Sequence, residues 1–218
     1  MDIQNNISKI RKFIYNELLK DKLVDVYTSL WLEMENLYLD ASEAVNKNLL
    51  ERFFVDYLTI QNNGVIPKTD DLFMSFLRFF RNATLYQSKV MVVKNIFRYS
   101  KYYLNILFAQ IADESIRVKI KQINAYNAVD AYPFLMEVFE DYESAHINKA
   151  MLLEILDTVI GFICERNSKK PSQIALSFAG LSNEINKMLI LKDYTPTFVA
   201  ESVDNNTNDN TINNLMRA

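Results

Sequence analysis

The chain has 218 residues, half of them hydrophobic and 12% aromatic, with 3 glycines, 4 prolines and a net charge of −3. That balance excludes a disordered chain, and so few turn residues exclude a sandwich or barrel, which needs many tight turns. A mildly acidic whole also excludes nucleic-acid binding by bulk charge, so any such contact must come from a local patch.

A single cysteine, Cys164, rules out an internal disulfide framework and a multi-cysteine metal site. The first residues carry no signal-peptide pattern, so the cytoplasm is the expected compartment. Lys, Arg, Asp or Glu interrupts every apolar segment short of the roughly 18 residues a membrane span needs, and no membrane partner is expected.

Ile7, Ile10, Ile14 and Leu18 recur at helical spacing and predict a first helix from about Ser8 to Lys20. Val24, Tyr27, Leu30, Trp31, Met34 and Leu37 form the stripe of a second. Leu49, Leu50, Phe53, Phe54, Tyr57 and Leu58 define a third, stopped at Asn62-Asn63-Gly64, where Asn and Gly accept the left-handed conformation. Pro67 keeps the connection extended, Thr69 is the expected N-cap, and Asp70 and Asp71 suit the positive end of the next helix dipole. Leu72, Phe73, Phe76, Leu77, Phe79 and Phe80 bury that helix, which gives an antiparallel hairpin with aromatic inner faces.

The longest helix is predicted over Gln87 to Ile111, with Val93, Ile96, Phe97, Ser100, Leu104, Leu107 and Phe108 on one stripe. Helices near Glu114–Tyr126 and Pro133–Tyr142 come next, the latter with Pro133 in its first turn. A long helix from about Asn148 to Arg166 carries Leu152, Ile155, Leu156, Val159, Ile163 and Cys164, and a last one covers Pro171 to Leu191. No strand alternation or fixed repeat appears. The expected fold is all-α: a bundle of about eight to nine helices in one domain over 1–195, with 196–218 a disordered, Asn-rich flexible tail.

Chemistry is harder to find. His146 is the sole histidine, at a helix end, and reads as a surface loop residue; an HExxH site is impossible. Cys164 reads as a buried, inert thiol. Glu33 and Glu35 face different ways on a helix, and Glu137, Glu140, Asp141 and Glu143 read as a solvated acidic face rather than a cation site. Trp31, Tyr103, Phe79 and Phe80 read as core. With no glycine-rich phosphate loop, no catalytic, cofactor or metal residue is assigned. Two basic groups remain as phosphate-backbone contacts: Lys94, Arg98 and Lys101 on one helix face, and Arg166, Lys169 and Lys170 between two helices.

Several segments, in order, resemble known motifs. "ISKIRKFIYNELL" (Ile7 to Leu19) is similar to a "D-L-I-R-N-F-L" entry helix, and "VYTSLWLEMENLY" (Val26 to Tyr38) to "LY-x-x-x-W-x-P-M-E-x-L-F". "ERFFVDYLTIQNNGVIPKTDDLFMSFLRFF" (Glu51 to Phe80) is similar to an "F-x-R-D-Y-L-T" helix, a Gly-x-x-Pro turn and an "F-x-x-F" helix. "YSKYYLNIL" and "AYPFLMEVFEDYES" resemble Tyr-rich and Tyr-Pro-Phe-Leu helices. The family is the GmrSD-type restriction proteins, type IV and modification-dependent, and the resemblance covers roughly Ile7 to Leu191.

The departures matter. The family's ParB/sulfiredoxin-like part with its Asp-Gly-Gln-Gln-Arg motif has no counterpart here, nor has its His-Asn-His nuclease, and Glu165-Arg166 stands where members often have paired arginines. The resemblance therefore implies a non-catalytic helical accessory module of a phage-defence restriction system. Such a module positions a nuclease or ParB-like partner, contacts DNA backbone weakly, and has apolar surface suited to a homodimer. The alternative is a stand-alone protein-interaction bundle, regulatory or an immunity protein, with no DNA role. No cofactor is expected, and an enzyme is the least favoured class.

Overall fold

Ile10, Ile14 and Leu18 are fully buried along one face of helix α1 (Gln4–Lys20). In the computed structural model, residues 4–45 and 48–168 are described; all are helix or connecting turn, with no strand among them, so the fold is all-α. The chain divides into two compact units, Met1–Tyr103 and Leu104–Ala218. The last expected helix and the Asn-rich tail lie outside the described residues.

After α1 the chain forms one turn of α2 (Val24–Val26), a π-helical segment (Tyr27–Leu32) and α3 (Glu33–Val45). The sequence stripe predicts one regular helix here. The π segment instead widens the turn and re-phases α3 after it. Val24 and Leu37 end up exposed, while Trp31, Met34, Glu35 and Tyr38 form the buried face.

Helix α4 (Leu49–Gln61) opens on Asn48, whose side chain accepts from Glu51 N–H. It closes at Asn63 (φ 51°) and Gly64 (φ 84°), with Gly64 N–H donating to Thr59 O at 2.8 Å. That six-to-one bond satisfies one of the orphan carbonyls of the last turn. The expected start of the next helix is corrected. A 3₁₀ turn occupies Thr69–Asp71, and α5 (Leu72–Tyr86) begins with Asp71 at its N-cap but without a side-chain cap. Arg78 Nη2 donates instead to the Asp71 carboxylate at 2.7 Å.

The α4–α5 hairpin does have aromatic inner faces. Phe54 meets Phe76 edge-on at 5.5 Å and Tyr57 meets Phe79 at 5.4 Å. Trp31 stacks on Phe54 at 6.0 Å, and Phe13 of α1 approaches Phe80 at 5.4 Å. Such edge and offset geometries each add about 1 kcal/mol beyond burial, because the ring edge is positive and the face negative.

Helix α6 (Lys89–Phe108) is tied to this core by Tyr38 Oη donating to Ser100 O at 2.9 Å and Tyr57 Oη donating to Asn95 Oδ1 at 2.7 Å. Burial, with Tyr103 and Asp56 nearby, holds the Tyr38 hydroxyl well above its ordinary pKa. Lys89 at the start of α6 pairs with Glu17 (3.0 Å) and Asp21 (2.9 Å). The unit boundary falls inside α6, after Tyr103.

In the second unit, α6 ends at Phe108 because Ala109 turns left-handed (φ 49°) and Gln110 N–H donates back to Asn105 O at 3.0 Å. Helix α7 (Glu114–Ala125) starts on Asp113, which accepts from Ser115 and Ile116 N–H. A 3₁₀ turn (Val129–Ala131) leads into α8 (Tyr132–Glu143), with Pro133 in its first turn as expected, and α9 (Lys149–Ser168) packs on α7 and α8. Ile116, Ile120, Ile123, Leu135, Leu152, Leu156 and Val159 fill this core. Asn124 Nδ2 donates to Ile106 O (2.7 Å) and Leu107 O (3.1 Å) in the last turn of α6, and Tyr132 Oη donates to Asn124 Oδ1.

Candidate functional site

Two places in the first unit stand out from the packing. One is the basic face of α6. Val92, Val93, Ile96, Tyr99 and Tyr103 go into the core, and the three- and four-residue steps leave Lys94, Arg98 and Lys101 exposed together on one face. Lys101 is partly occupied: its ammonium lies 3.8 Å from Glu33 Oε1 and 4.1 Å above the Phe97 ring centroid. Tyr99 and Tyr102, beside these cations, are buried and offer no stacking platform. In the second basic group, the Arg166 side chain and all of Lys169 and Lys170 lie outside the described residues.

The other place is a cleft of about 720 Å³ that no sequence motif announced. It is walled by the start of α1 (Ile7, Ser8, Arg11), the π segment (Tyr27, Leu32) and α3 (Glu35, Asn36, Leu39, Ser42), and closed by Asn48 and Leu50. The π turn explains why Tyr27 and Leu32 share it, since residues five apart fall on one face only when the helix widens to that repeat.

At the cleft's base Glu35 has a 7% exposed side chain. Two donors hold its Oε1: Arg11 Nε at 2.8 Å and the Trp31 indole N–H at 3.0 Å. That hydrogen bond to Glu35 raises the Arg11 pKa, against an opposing desolvation. Burial, and then the Glu35 charge, raise the Tyr27 hydroxyl. Three ionisable groups thus meet here, drawn from segments 16 and 8 positions apart (11, 27 and 35). Helical spacing alone sends Glu33 and Glu35 different ways, and Glu33 is indeed exposed. That spacing holds no signal, however, for the approach of Arg11.

The remaining chemical candidates resolve otherwise. His146 is exposed at a helix end, as expected. Its Nδ1 meets both Ser144 Oγ (3.0 Å) and Asp141 Oδ1 (3.4 Å). A hydrolytic triad needs serine and carboxylate on opposite ring nitrogens, so this trio cannot relay a proton that way. The acidic group of α8 is not one solvated face, because Glu137 and Asp141 are 6% and 3% exposed and only Glu143 is fully outside. Cys164 is likewise corrected: it is exposed, with Sγ 3.2 Å from the Tyr126 hydroxyl. Ile163 is buried on the inner edge of α9, and one further residue rotates the side chain about 100° outward.

Among the described residues, no group of three or more His, Cys, Asp or Glu could hold a metal ion. None of the described helices is long and apolar enough to cross a membrane. Comparison with protein-family models, curated proteins and solved structures finds no match to this chain.

Proposed function

We propose that the chain is the helical accessory module of a GmrSD-like, phage-defence restriction system, working in the cytoplasm beside a nuclease or ParB-like partner and lending cations to DNA backbone. The observation that carries this reading is the α6 face, where Lys94, Arg98 and Lys101 project from a helix anchored by buried tyrosines. Three cations on a rigid rod suit phosphates, which need charge and spacing but no base-specific geometry. Arg11, Trp31 and Glu35 stand apart from that face. They belong to two of the segments that carry the resemblance, and they meet in one hydrogen-bonded cluster.

Duplex DNA titrated into the protein at rising salt tests this. Affinity should fall with a log–log slope of about −2 to −3, as expected for roughly three neutralised phosphates. The triple change Lys94→Ala, Arg98→Ala, Lys101→Ala should abolish the slope. Indifference to DNA at low salt overturns the DNA role.

A second reading, a stand-alone interaction bundle, rests on Leu85, Tyr86 and Met91. They are 74%, 89% and 55% exposed around the α5–α6 turn, and apolar surface of that kind suits another protein or a second copy of the chain. Concentration-dependent dimerisation lost in Tyr86→Lys would favour it.

A further inference from the structure

The cleft beside α1 contains hydrogen-bonding capacity that no described protein atom takes up. Both donors to Glu35 use Oε1, so Oε2 carries no hydrogen bond among the described residues. Arg11 commits only Nε, which leaves its two terminal nitrogens, and the Tyr27 hydroxyl and Asn36 amide have no hydrogen-bond partner among the described residues either. Oε2 is not among the buried atoms lacking a partner, so it opens onto the cleft, where a bound donor can take it up.

Charge narrows the occupant. The guanidinium and carboxylate cancel, so an anion meets Glu35 and a cation meets Arg11, and neither gains. What the pair offers is a donor and an acceptor side by side, with Leu32, Leu39 and Leu50 as apolar walls. The volume, about 720 Å³, is that of a small-molecule site.

We propose that this cleft binds a small uncharged molecule through a planar edge pairing an N–H donor with a carbonyl acceptor, the edge that primary carboxamides and nucleobases share. Arg11 donates to the carbonyl, Glu35 Oε2 accepts the N–H, and Tyr27 and Asn36 hold the flank. This binding requires no DNA role for the chain.

Trp31, the chain's one tryptophan, reports on the site because its indole N–H is bonded to Glu35. The full chain is titrated with benzamide and, separately, with cytidine and guanosine, while Trp31 emission is read. A saturable change with half-saturation below about 1 mM is expected for one set or both. A response to benzamide alone assigns the carboxamide source; a response to the nucleosides assigns the base.

Tyr27→Phe removes only a hydroxyl, and Arg11→Lys keeps the charge opposite Glu35 while losing the fork. Each should weaken binding about fivefold or more, the loss of one hydrogen bond, with circular dichroism unchanged. No emission change with any probe overturns the proposal. So does binding that both folded variants retain in full, which would place the site elsewhere.

Discussion

The two units bury similar apolar cores by different means. In Met1–Tyr103 the core is threaded by a chain of rings, Phe13, Trp31, Tyr38, Phe53, Phe54, Tyr57, Phe76, Phe79 and Phe80, in edge, stacked or tilted contact across five helical segments. Among the described residues from Leu104 onward the central positions are mostly Ile, Leu and Val on α7, α8 and α9. Rings are large and rigid, so they fill the space between helices only at particular angles, and a helix that must seat one accepts a distortion such as the π segment around Trp31. Branched aliphatics pack with less directional demand, and α7 and α9 stay regular. The cleft comes from the same difference, because the widened turn that buries Trp31 also turns Tyr27 and Leu32 outward to line it.

The largest test of that contrast is truncation. Phe76, fully buried and in contact with the rings of Phe13, Trp31, Phe54, Phe79 and Phe80, should cost about 4 kcal/mol as Phe76→Ala. Ile120→Ala, at an equally buried aliphatic position, should cost about 3 kcal/mol. Urea unfolding measures both, and a larger loss at Ile120 would break the contrast.

Glu51 sharpens it next, as a polar cost inside the ring-packed unit. Its Oε1 is buried with no hydrogen bond among the described residues and burial raises its pKa, so the folded state holds the proton more tightly than the unfolded one. Stability it contributes is therefore present below the unfolded carboxylate pKa and declines as pH rises through the folded value. Glu51→Gln should gain about 1 kcal/mol at neutral pH, and the gain should vanish in acid. A constant gain at all pH values would contradict the burial argument.

In the second unit, helix ends are the weak points. Ala145 sits at φ 61° and Ala109 at φ 49°, conformations that cost an L-residue and suit glycine. Ala145→Gly should stabilise by about 0.5 kcal/mol in the same unfolding assay. The smallest effect belongs to Asp113, which caps α7 while Lys149 of α9 reaches it at 2.5 Å. Lys149, then Ser115, hold its pKa well below the carboxylate range. That stability is present above the unfolded carboxylate pKa and is lost as pH falls through the lower folded value. Asp113→Asn should flatten the acid limb of the melting-temperature profile.

These positions also show what a sequence can disclose. Buried stripes were legible wherever the helix stays regular: Ile10, Ile14 and Leu18 on α1, Leu152 to Ile163 on α9, and the aromatic inner faces of the α4–α5 hairpin with its Asn63-Gly64 stop. Periodicity fails where the period changes, and nothing in "VYTSLWL" marks a π turn in advance. It also fails where a helix stops on alanine. Without a glycine at 109, α6 reads three residues too long. The α6 basic face was legible because i, i+4, i+7 spacing is local. The cleft was not, because its Arg11–Glu35 pair depends on α1 lying against a re-phased α3, which is tertiary information.

Trp31 joins the aromatic core to the cleft, its ring stacked among the phenylalanines and its N–H bonded to the cleft carboxylate. Hydrogen exchange of that one indole N–H, observed by NMR as a single resonance, tests the arrangement most directly. At 1% exposure, and bonded to Glu35, it should persist far longer than surface amides and shift in Glu35→Gln. Exchange as fast as that of an exposed indole would mean that neither the ring packing nor the base of the cleft is built as described.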